Sequence, residues 1–465
     1  MSNFAISPTL NKNKVFILHR SEIEKRLDPD YYHLERRFEI DRLKKSKHLL
    51  KSLKSTASFP KIILSENPDN LPYIGLEDIE SNTGAYFNNS EKENFGTALH
   101  FKAGNVLFPK LRPYLNKVHL AEFDGICSTE FVILDSNKVS PKFLSAFLRS
   151  SIVVNQTKHM MSGNTLPRLQ TDDIENILVP IADEATQNKV VSIMESALEQ
   201  KRQNEAAIEK LLASIDDYLL KELGITLPTP PENILKNRIF TSQLSELSGN
   251  RFDPRYYQNY FIQFYKNLNK KYSTKKLKEI AEYIGSGSTP TAGGDAYTDE
   301  ADGVPFIRIT NLKNNTVDLT DVLFIKREIH ETSLKRTQLK SGELLLSMAG
   351  TIGLTVIVPD FICEANINQA LARIVLRNGY NNFYIKELLN SKVGKTQTDR
   401  LSRPAVQANI NFDEIGSLLI PIPPFDKQQE IAKHITAIRK QAQQLKDKTK
   451  EELKKASEEI EKILL

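Results

Sequence analysis

Two short glycine-containing segments have the composition of loops that bind phosphate groups. Residues 393–396 (VGKT) resemble the end of such a loop, but Leu389 stands where the motif needs its first glycine. Residues 284–290 (IGSGSTP) are rich in glycine, yet Pro290 and the glycines at 293 and 294 oppose the helix that a cofactor-binding turn must enter. We therefore expect ordinary loops at both segments and no nucleotide site.

Catalytic and metal-binding signatures are equally incomplete. Residues 422–425 (IPPF) are the nearest match to the Asn/Asp-Pro-Pro-aromatic segment of amino-methyltransferases, and they lack its polar first residue. The eight histidines are scattered, with no pair at metal-ligand spacing. Carboxylate pairs such as Asp172-Asp173 stand at expected helix starts, where capping explains them. We therefore assign no catalytic residue and no metal ligand.

The composition is typical of a soluble globular chain with more than one domain. A chain of 465 residues exceeds the size at which one core keeps growing, and 40% hydrophobic and 26% charged residues exclude disorder throughout. The net charge of +5 allows a polyanionic partner without requiring one. Two distant cysteines, Cys127 and Cys363, exclude a disulfide framework. No membrane-spanning run or signal peptide is recognisable, so we expect a cytoplasmic location.

The chain contains an internal repeat with a very long period. Residues 26–32 (RLDPDYY) recur as residues 251–257 (RFDPRYY), with five of seven positions identical. In both copies a glutamine, Gln187 or Gln428, precedes a long helical pattern. Three ordered matches at offsets of 225 to 241 residues indicate a duplication. The other two matches are residues 101–107 (FKAGNVL) with 339–345 (LKSGELL), and residues 173–181 (DIENILVPI) with 414–422 (EIGSLLIPI).

A long helix is predicted at the end of each copy. In the first, apolar or small residues recur at 3–4 spacing from Val190, with Lys201 and Asn204 as polar interruptions and Gly224 as a C-terminal cap. The second carries an apolar stripe from Ile431 to the C-terminus. Each pattern is near 40 residues, or about 60 Å of helix. We expect the two helices to pair; the alternative is that each packs on its own domain as a surface helix.

The predicted fold class is α+β. Short apolar runs such as residues 131–134 (FVIL), punctuated by Gly, Pro and Asn, predict strands and turns in each copy. We therefore predict two similar domains joined by two long antiparallel coiled-coil helices, with an internal pseudo-two-fold repeat. The predicted boundaries are residues 1–182 for the first domain, 183–224 for its helix, 225–250 for a proline-containing linker, 251–424 for the second domain and 425–465 for the second helix.

Two binding-type domains on a helical spacer suit recognition of an extended, two-part target. DNA fits this description, because each domain can contact base edges in a groove while the spacer fixes the distance between half-sites. Since the copies differ outside the matched segments, we expect the half-sites to differ as well.

Three segments of the second copy carry a family resemblance: residues 303–312 (GVPFIRITNL), 342–353 (GELLLSMAGTIG) and 420–431 (IPIPPFDKQQEI). With the ordered repeat they resemble the specificity (S) subunit of Type I restriction-modification systems, the HsdS family, over nearly the whole chain. The first copy departs from this pattern. Residues 71–79 (LPYIGLEDI) are a loose counterpart of the first segment, and residues 181–183 (IAD) replace the double proline.

The resemblance implies a non-catalytic, sequence-specific DNA-binding subunit with two target-recognition domains. It implies that the chain reads a bipartite, asymmetric site in double-stranded DNA and brings two methyltransferase subunits and, for cleavage, two restriction subunits to it. Adenine-N6 methylation and DNA cleavage would belong to those partners. S-adenosylmethionine would bind in the methyltransferase subunit, and this chain would bind no cofactor.

Contact residues are predicted from side-chain chemistry. Arg and Lys reach guanine edges and phosphates, Asn and Gln suit adenine, and glycine-containing loops bring the backbone close to DNA. In the first domain the candidates are Lys110, Arg112, Lys117, Lys158, Asn164 and Arg168. In the second domain they are Arg308, Asn311, Lys313, Ser347, Thr351, Arg400, Arg403 and Gln407.

Two other functions remain open from the sequence. One is a specificity module of another modification or phage-defence complex. The other is a coiled-coil scaffold whose domains bind proteins, for which Lys201, Asn204, Thr449 and Glu452 leave polar docking positions on the helices. An autonomous methyltransferase is disfavoured by the missing signatures.

The helix pattern generates a prediction about the DNA site. Deleting one heptad from both long helices should change the preferred gap between half-sites, because paired helices set that distance. Sequencing of the methylated sites in a host that carries the altered subunit measures the gap. An unchanged gap would mean that the helices do not set it.

Overall fold

A computed structural model describes most of the chain, in two compact units. The first unit comprises Met1–Glu205 and Leu445–Leu465, and the second comprises Ala206–Gln444. The described residues are 11, 15–23, 26–67, 70–87, 96–163, 165–232, 234–241, 252–290, 295–402 and 409–465, the side chains of 236 and 238 excepted.

The first copy of the repeat is a mixed domain that ends in a long helix. Its helices are α1 (Leu34–Lys44), α2 (Leu53–Thr56), α3 (Pro141–Leu148), α4 (Ser151–Thr157), α5 (Thr171–Glu175) and α6 (Glu184–Leu223). Its strands are β1 (Leu49–Ser52), β2 (Ala57–Ser58), β3 (Ile62–Leu64), β4 (Tyr73–Ile74), β5 (Ala98–Phe101), β6 (Val106–Pro109), β7 (His119–Leu120), β8 (Gly125–Ser128), β9 (Phe131–Ser136) and β10 (Leu178–Ile181).

The second copy has a similar order of elements. Its helices, after a short α7 (Leu235–Arg238), are α8 (Asn259–Leu268), α9 (Leu277–Ile280), α10 (Arg327–Glu331), α11 (Asn382–Asn390), α12 (Lys392–Leu401), α13 (Phe412–Gly416) and α14 (Phe425–Leu464). Its strands are β11 (Thr274–Lys276), β12 (Ala281–Ser286), β13 (Tyr297–Thr298), β14 (Gly303–Ile307), β15 (Leu312–Lys313), β16 (Thr316–Val317), β17 (Leu323–Lys326), β18 (Leu344–Ser347), β19 (Thr355–Ile357), β20 (Asn366–Ile367), β21 (Leu371–Leu376) and β22 (Leu419–Pro421).

The sheets of the two copies correspond. The first copy contains an antiparallel sheet with the strand order β2-β9-β6-β7, and the second copy contains one with the order β12-β21-β18-β19. Strands at the same place in these two orders correspond to each other. A second sheet contains one parallel pair in each copy, β4 with β8 and β14 with β20. A two-stranded ladder joins the start and end of each domain, β1 with β10 and β11 with β22. The predicted α+β fold with an internal repeat is confirmed.

Each unit has its own hydrophobic core that includes parts of both long helices. In the first unit, the core includes buried aromatic side chains of α3 together with Ile460 and Leu464 of α14, which are 1% and 0% exposed. In the second unit, the core includes Tyr384 together with Leu219 of α6 and Ile435 of α14. Full burial of an aliphatic side chain contributes roughly 1.5–3 kcal/mol, so these helix segments stabilise the domains that they contact.

Segments of α6 and α14 run antiparallel within each unit. In the second unit, Tyr218 stacks near His434 with ring centroids 4.0 Å apart, and Glu222 forms a 2.8 Å ion pair with Lys427. In the first unit, the Asn204 side-chain amide donates to Thr449 Oγ1 at 2.9 Å, and Val190 of α6 lies in the same core as Ile460 of α14. Residue numbers that rise along one helix fall along the other, so the predicted antiparallel pairing is confirmed. No helix in the described ranges is long and apolar enough to cross a membrane.

Helix α6 ends at the glycine that the sequence indicates. Gly224 has φ +66°, a left-handed conformation that glycine adopts without a side-chain clash. Its N–H donates to Lys221 O at 3.2 Å, and the Ile225 N–H donates to Leu220 O at 2.9 Å. These two bonds form a Schellman motif, which satisfies carbonyls at the end of the helix. Residues 225–232 then have no regular secondary structure.

The repeated glutamine attaches each long helix to its domain. Gln187 Oε1 accepts from the Ser140 N–H at 2.8 Å, and its amide donates to Ala182 O at 2.8 Å. Gln428 Oε1 accepts from the Asn381 N–H at 3.0 Å, and its amide donates to Pro423 O at 2.9 Å. Ser140 and Asn381 are themselves the N-caps of α3 and α11. In each copy, the glutamine side chain thus joins the start of the long helix to the start of a helix in the domain.

This attachment predicts a stability difference between two neighbouring glutamines. Gln428→Ala should lower the free energy of unfolding by about 1–3 kcal/mol, because it leaves the partly buried Asn381 N–H and the buried Pro423 carbonyl without their side-chain partner. Gln428 is 1% exposed, whereas Gln429 is exposed, so Gln429→Ala should change stability by less than about 0.5 kcal/mol. Urea denaturation measures both values. Equal losses for the two variants would contradict the attachment.

Candidate nucleic-acid interface

The first unit brings four loop segments together, and we call them the first loop cluster: residues 75–78, 110–116, 128–130 and 165–169. Backbone hydrogen bonds join three of them. The Lys110 N–H donates to Glu130 O at 2.8 Å, and the Leu169 N–H donates to Lys110 O at 2.9 Å. The Arg112 N–H donates to Pro167 O at 2.9 Å. The fourth segment, residues 75–78, is held by Lys117, which directly follows residues 110–116. The Lys117 ammonium donates to Leu76 O at 2.8 Å.

The second unit contains the corresponding second loop cluster: residues 308–311, 348–353, 368–370 and 409–410. The Met348 N–H donates to Ala370 O at 2.8 Å, and the Ile410 N–H donates to Met348 O at 3.1 Å. Isolated β-bridges also correspond, Leu111 with Arg168 and Ala349 with Asn409. The two clusters therefore share these backbone pairings, with different side chains at equivalent positions.

A buried polar side chain shapes the same turn in each cluster. Asp78 accepts from the Gly75 N–H at 2.7 Å, and Asn311 accepts from the Arg308 N–H at 3.0 Å. Asp78 and Asn311 are 4% and 1% exposed. The Asn311 amide also donates to Asp318 O at 3.2 Å. These contacts give Asn311 a structural role in the turn and place Arg308 at the position of Gly75.

A left-handed backbone conformation also recurs. Arg112 has φ +48° and Gly350 has φ +64°, each in the loop that follows the central strand of its sheet. An arginine in this region costs roughly 1–2 kcal/mol relative to ordinary helical geometry, whereas glycine adopts it freely. Strain of this kind often marks functional positions. The hydrogen bonds of Arg112 among the described residues are made by its backbone, and its side chain is exposed.

The remaining cations of the first cluster differ in their partners. Arg168 forms a two-point ion pair with Glu130, with contacts of 3.0 and 2.8 Å. The guanidinium of Arg168 holds the pKa of the Glu130 carboxyl below its usual value, so Glu130 stays charged and balances Arg168 near neutral pH. Lys110 is half-buried beside this pair. Cys127, which precedes Ser128 of the cluster, is buried, and this burial raises its thiol pKa to about 12.

Arg308 carries the main positive charge in the turn of the second cluster. Its Nη2 donates to Asp321 O at a long 3.4 Å, and its buried Nε has no hydrogen-bond partner. Both described acceptors of Arg308, Asp321 O and Asn311 Oδ1, are neutral groups. By contrast, the exposed Lys313 on the following hairpin lies 3.4 Å from the Asp318 carboxylate. Within the described residues, carboxylates therefore compensate the positive charge of Arg308 less than that of Lys313.

Other predicted contact residues have contacts inside the domain. Ser347 is fully buried, and its hydroxyl donates to Thr351 O and accepts from the Leu354 N–H. Thr351 itself is exposed in the same loop. Arg400 donates to Tyr256 O and stacks on Tyr256 and Tyr265, 4.0 and 4.5 Å from the ring centroids. These contacts hold the loop and α12 in place.

Four predicted contact residues lie elsewhere or outside the described residues. Lys158, at the end of α4, forms a 2.8 Å ion pair with Glu35 of α1. Asn164, Arg403 and Gln407 lie outside the described residues. All of the contact assignments stay predictions.

Sequence reasoning missed two polar residues of the clusters. Glu130 compensates Arg168, and the exposed Gln369 accepts from the Thr289 N–H at 3.1 Å. Both belong to a short polar segment just before an apolar strand, residues 128–130 (STE) and 368–370 (NQA). Aligning the two copies through the strands β9 and β21 identifies them.

Comparisons with known proteins agree with the fold and the predicted family resemblance. The family model described as a Type I restriction modification DNA specificity domain matches residues 269–455. The resemblance seen in the sequence is therefore confirmed, and the matched region includes the whole second loop cluster.

Two curated relatives come from Escherichia coli. The EcoDI Type I restriction enzyme specificity subunit is 26% identical over 168 residues, which are 36% of this chain and 36% of that protein. The EcoKI specificity subunit is 21% identical over 309 residues, which are 63% of this chain and 57% of that protein. The similarity thus spans less than two thirds of each relative.

A solved structure supports the fold over most of the chain. It comes from a study of complex assembly and conformational transition of the type I R-M system. The alignment covers 90% of this chain and 96% of that chain, with 19% identity and a TM-score of 0.51. At this identity the likeness concerns the fold alone.

Proposed function

We propose that this chain is the DNA-reading specificity subunit of a Type I restriction-modification enzyme. The first and second loop clusters would each read one part of a bipartite, asymmetric site in double-stranded DNA. Methyltransferase and restriction subunits would supply the chemistry, with S-adenosylmethionine bound in the methyltransferase. This chain would position those partners on the DNA and perform no reaction itself.

The repeated loop cluster is the observation that carries this proposal. Two backbone hydrogen bonds and one β-bridge correspond between the units, so each unit presents a similar arrangement of loops. The side chains at equivalent positions differ, with Lys110, Arg112 and Arg168 in one unit and Met348, Gly350 and Asn409 in the other. A common backbone with different side chains is what two related readers of different sequences need.

The chemistry of the clusters suits DNA. Arg112 and Arg308 offer guanidinium groups that no carboxylate balances among the described residues, and guanidinium binds guanine O6 and N7 or a phosphate in two-point fashion. Gly350 adds no side chain to its exposed loop position, so backbone groups there can approach a base or a phosphate closely.

The scaffold alternative loses its main support on the helices. Lys201 forms ion pairs with Glu80 at 2.9 Å and Glu205 at 2.7 Å. Asn204 accepts from Gln200 and donates to Thr449. The polar side chains that could have served as docking positions for another protein therefore already form ion pairs or hydrogen bonds within this chain.

Salt dependence of DNA binding tests the proposal. The full chain, with its methyltransferase partner, should bind its target with an affinity whose logarithm falls linearly with the logarithm of salt concentration, because phosphate contacts release counterions. An affinity that does not respond to salt would favour a protein-binding scaffold.

Arg308 should affect only one half of the site. Arg308→Ala should weaken binding by about 1–3 kcal/mol and relax base preference in one half-site, if the guanidinium contacts a base. Arg336→Ala, which removes an exposed arginine outside the cluster, is the matched control and should leave binding unchanged. Binding to oligonucleotides with single-base changes measures both. An equal loss on unrelated DNA would assign Arg308 to a phosphate instead.

Arg112 should show opposite effects on folding and on binding. Arg112→Gly removes backbone strain of roughly 1–2 kcal/mol but costs about 0.5–1 kcal/mol in chain entropy, so stability should hold or rise slightly. DNA affinity should fall by about 1–3 kcal/mol. Arg112→Asn, which also tolerates the left-handed conformation, should lose the same affinity. Unchanged affinity in both variants would remove Arg112 from the interface.

A further inference from the structure

Two histidines and a glutamate from distant parts of the chain meet at the junction of α1 and α4. His159 Nε2 lies 3.0 Å from Glu35 Oε2, although the two residues are 124 positions apart in the chain. The His33 and His159 rings stack with centroids 4.0 Å apart and an interplanar angle of 10°. One ligand atom from each of the three side chains lies within 4.8 Å of the others.

This set of side chains matches the ligand preference of zinc. Zn²⁺ accepts imidazole nitrogen and carboxylate oxygen at about 2.0–2.2 Å, so two ligand atoms on one tetrahedral ion lie roughly 3.4 Å apart. The Glu35–His159 pair is already at 3.0 Å, and the three ligand atoms lie within 4.8 Å of one another. To bind one ion, the two imidazole rings must turn out of their parallel stack, because each nitrogen lone pair lies in the plane of its ring. All three residues are partly buried, which limits competition from water.

We propose that His33, Glu35 and His159 form a Zn²⁺ site that links α1 to α4 in the first unit. Three protein ligands would leave the fourth coordination position to water. The site is separate from the first loop cluster and does not depend on DNA recognition.

A cation already lies beside the Glu35 carboxylate. The Lys158 ammonium is 2.8 Å from it, and Zn²⁺ would take the place of this ammonium.

Variants can remove ligands without removing the helix cap. His33 is the N-cap of α1, and its Nδ1 accepts from the Glu35 N–H at 3.3 Å. Asparagine is a strong N-cap residue, so His33→Asn keeps the cap and removes the imidazole. His19→Asn is the matched control, because His19 is an exposed N-cap histidine outside the site.

Calorimetric titration of the tag-free full chain with ZnCl₂ tests the site. The unaltered chain and His19→Asn should bind Zn²⁺ and show a higher Tm in its presence. His33→Asn and His159→Gln should each bind at least about 10-fold more weakly, since even outer-shell partners of a metal are worth 10–100-fold, and should lose the Tm increase. Mg²⁺, which prefers six oxygen ligands, should not bind there.

Two results would overturn the proposal. One is an absence of Zn²⁺ binding by the unaltered chain. The other is Zn²⁺ binding that both ligand variants retain in full, which would place the ion elsewhere. If His159→Gln loses the folded circular dichroism spectrum, Glu35→Gln provides a second variant of nearly the same shape, and retained affinity there would equally reject the site.

Discussion

A small set of backbone hydrogen bonds determines where the candidate interface lies. In each unit, the residue that follows the central strand of the antiparallel sheet is bonded to two other loops, Lys110 to Glu130 and Leu169, and Met348 to Ala370 and Ile410. Buried or half-buried backbone groups must be paired, so these bonds hold three loops from distant parts of the sequence together. The side chains on those loops can then vary without loss of the arrangement. This separation of backbone from side chains lets two copies of one domain present different side chains on the same loop pairings, as the proposed function requires.

The long helices likewise depend on covered apolar faces and on paired polar side chains. Their apolar faces are covered within each unit by the other helix and by the adjoining domain, and Gln187 and Gln428 tie the two helix starts to α3 and α11. Asn204 and Thr449 place a polar contact inside the helix pair. A buried polar pair of this kind favours one register over its alternatives, because a shift would leave the amide without a partner.

The sequence was informative where structure follows from local pattern. The two long helices and the Gly224 cap could be predicted, because heptad-like spacing and glycine geometry are local signals. The repeat followed from ordered segment matches, and the helix pairing from two apolar stripes of equal length. The loop clusters could not, since they arise from pairings such as Lys110 with Glu130. Asn311 illustrates the difference. Its side-chain type predicts adenine recognition, which stays a prediction, whereas its burial and its bond to the Arg308 N–H, like those of its counterpart Asp78, show that it stabilises the turn. His33 and His159 are likewise neighbours only in the fold.

Methylome sequencing of a host that carries the complete operon tests the central claim most directly. Two loop clusters with different side chains should produce methylation at a site with two specified segments of unlike sequence, separated by bases that are not specified. A single continuous motif, or two identical segments, would contradict the assignment of one reader to each unit.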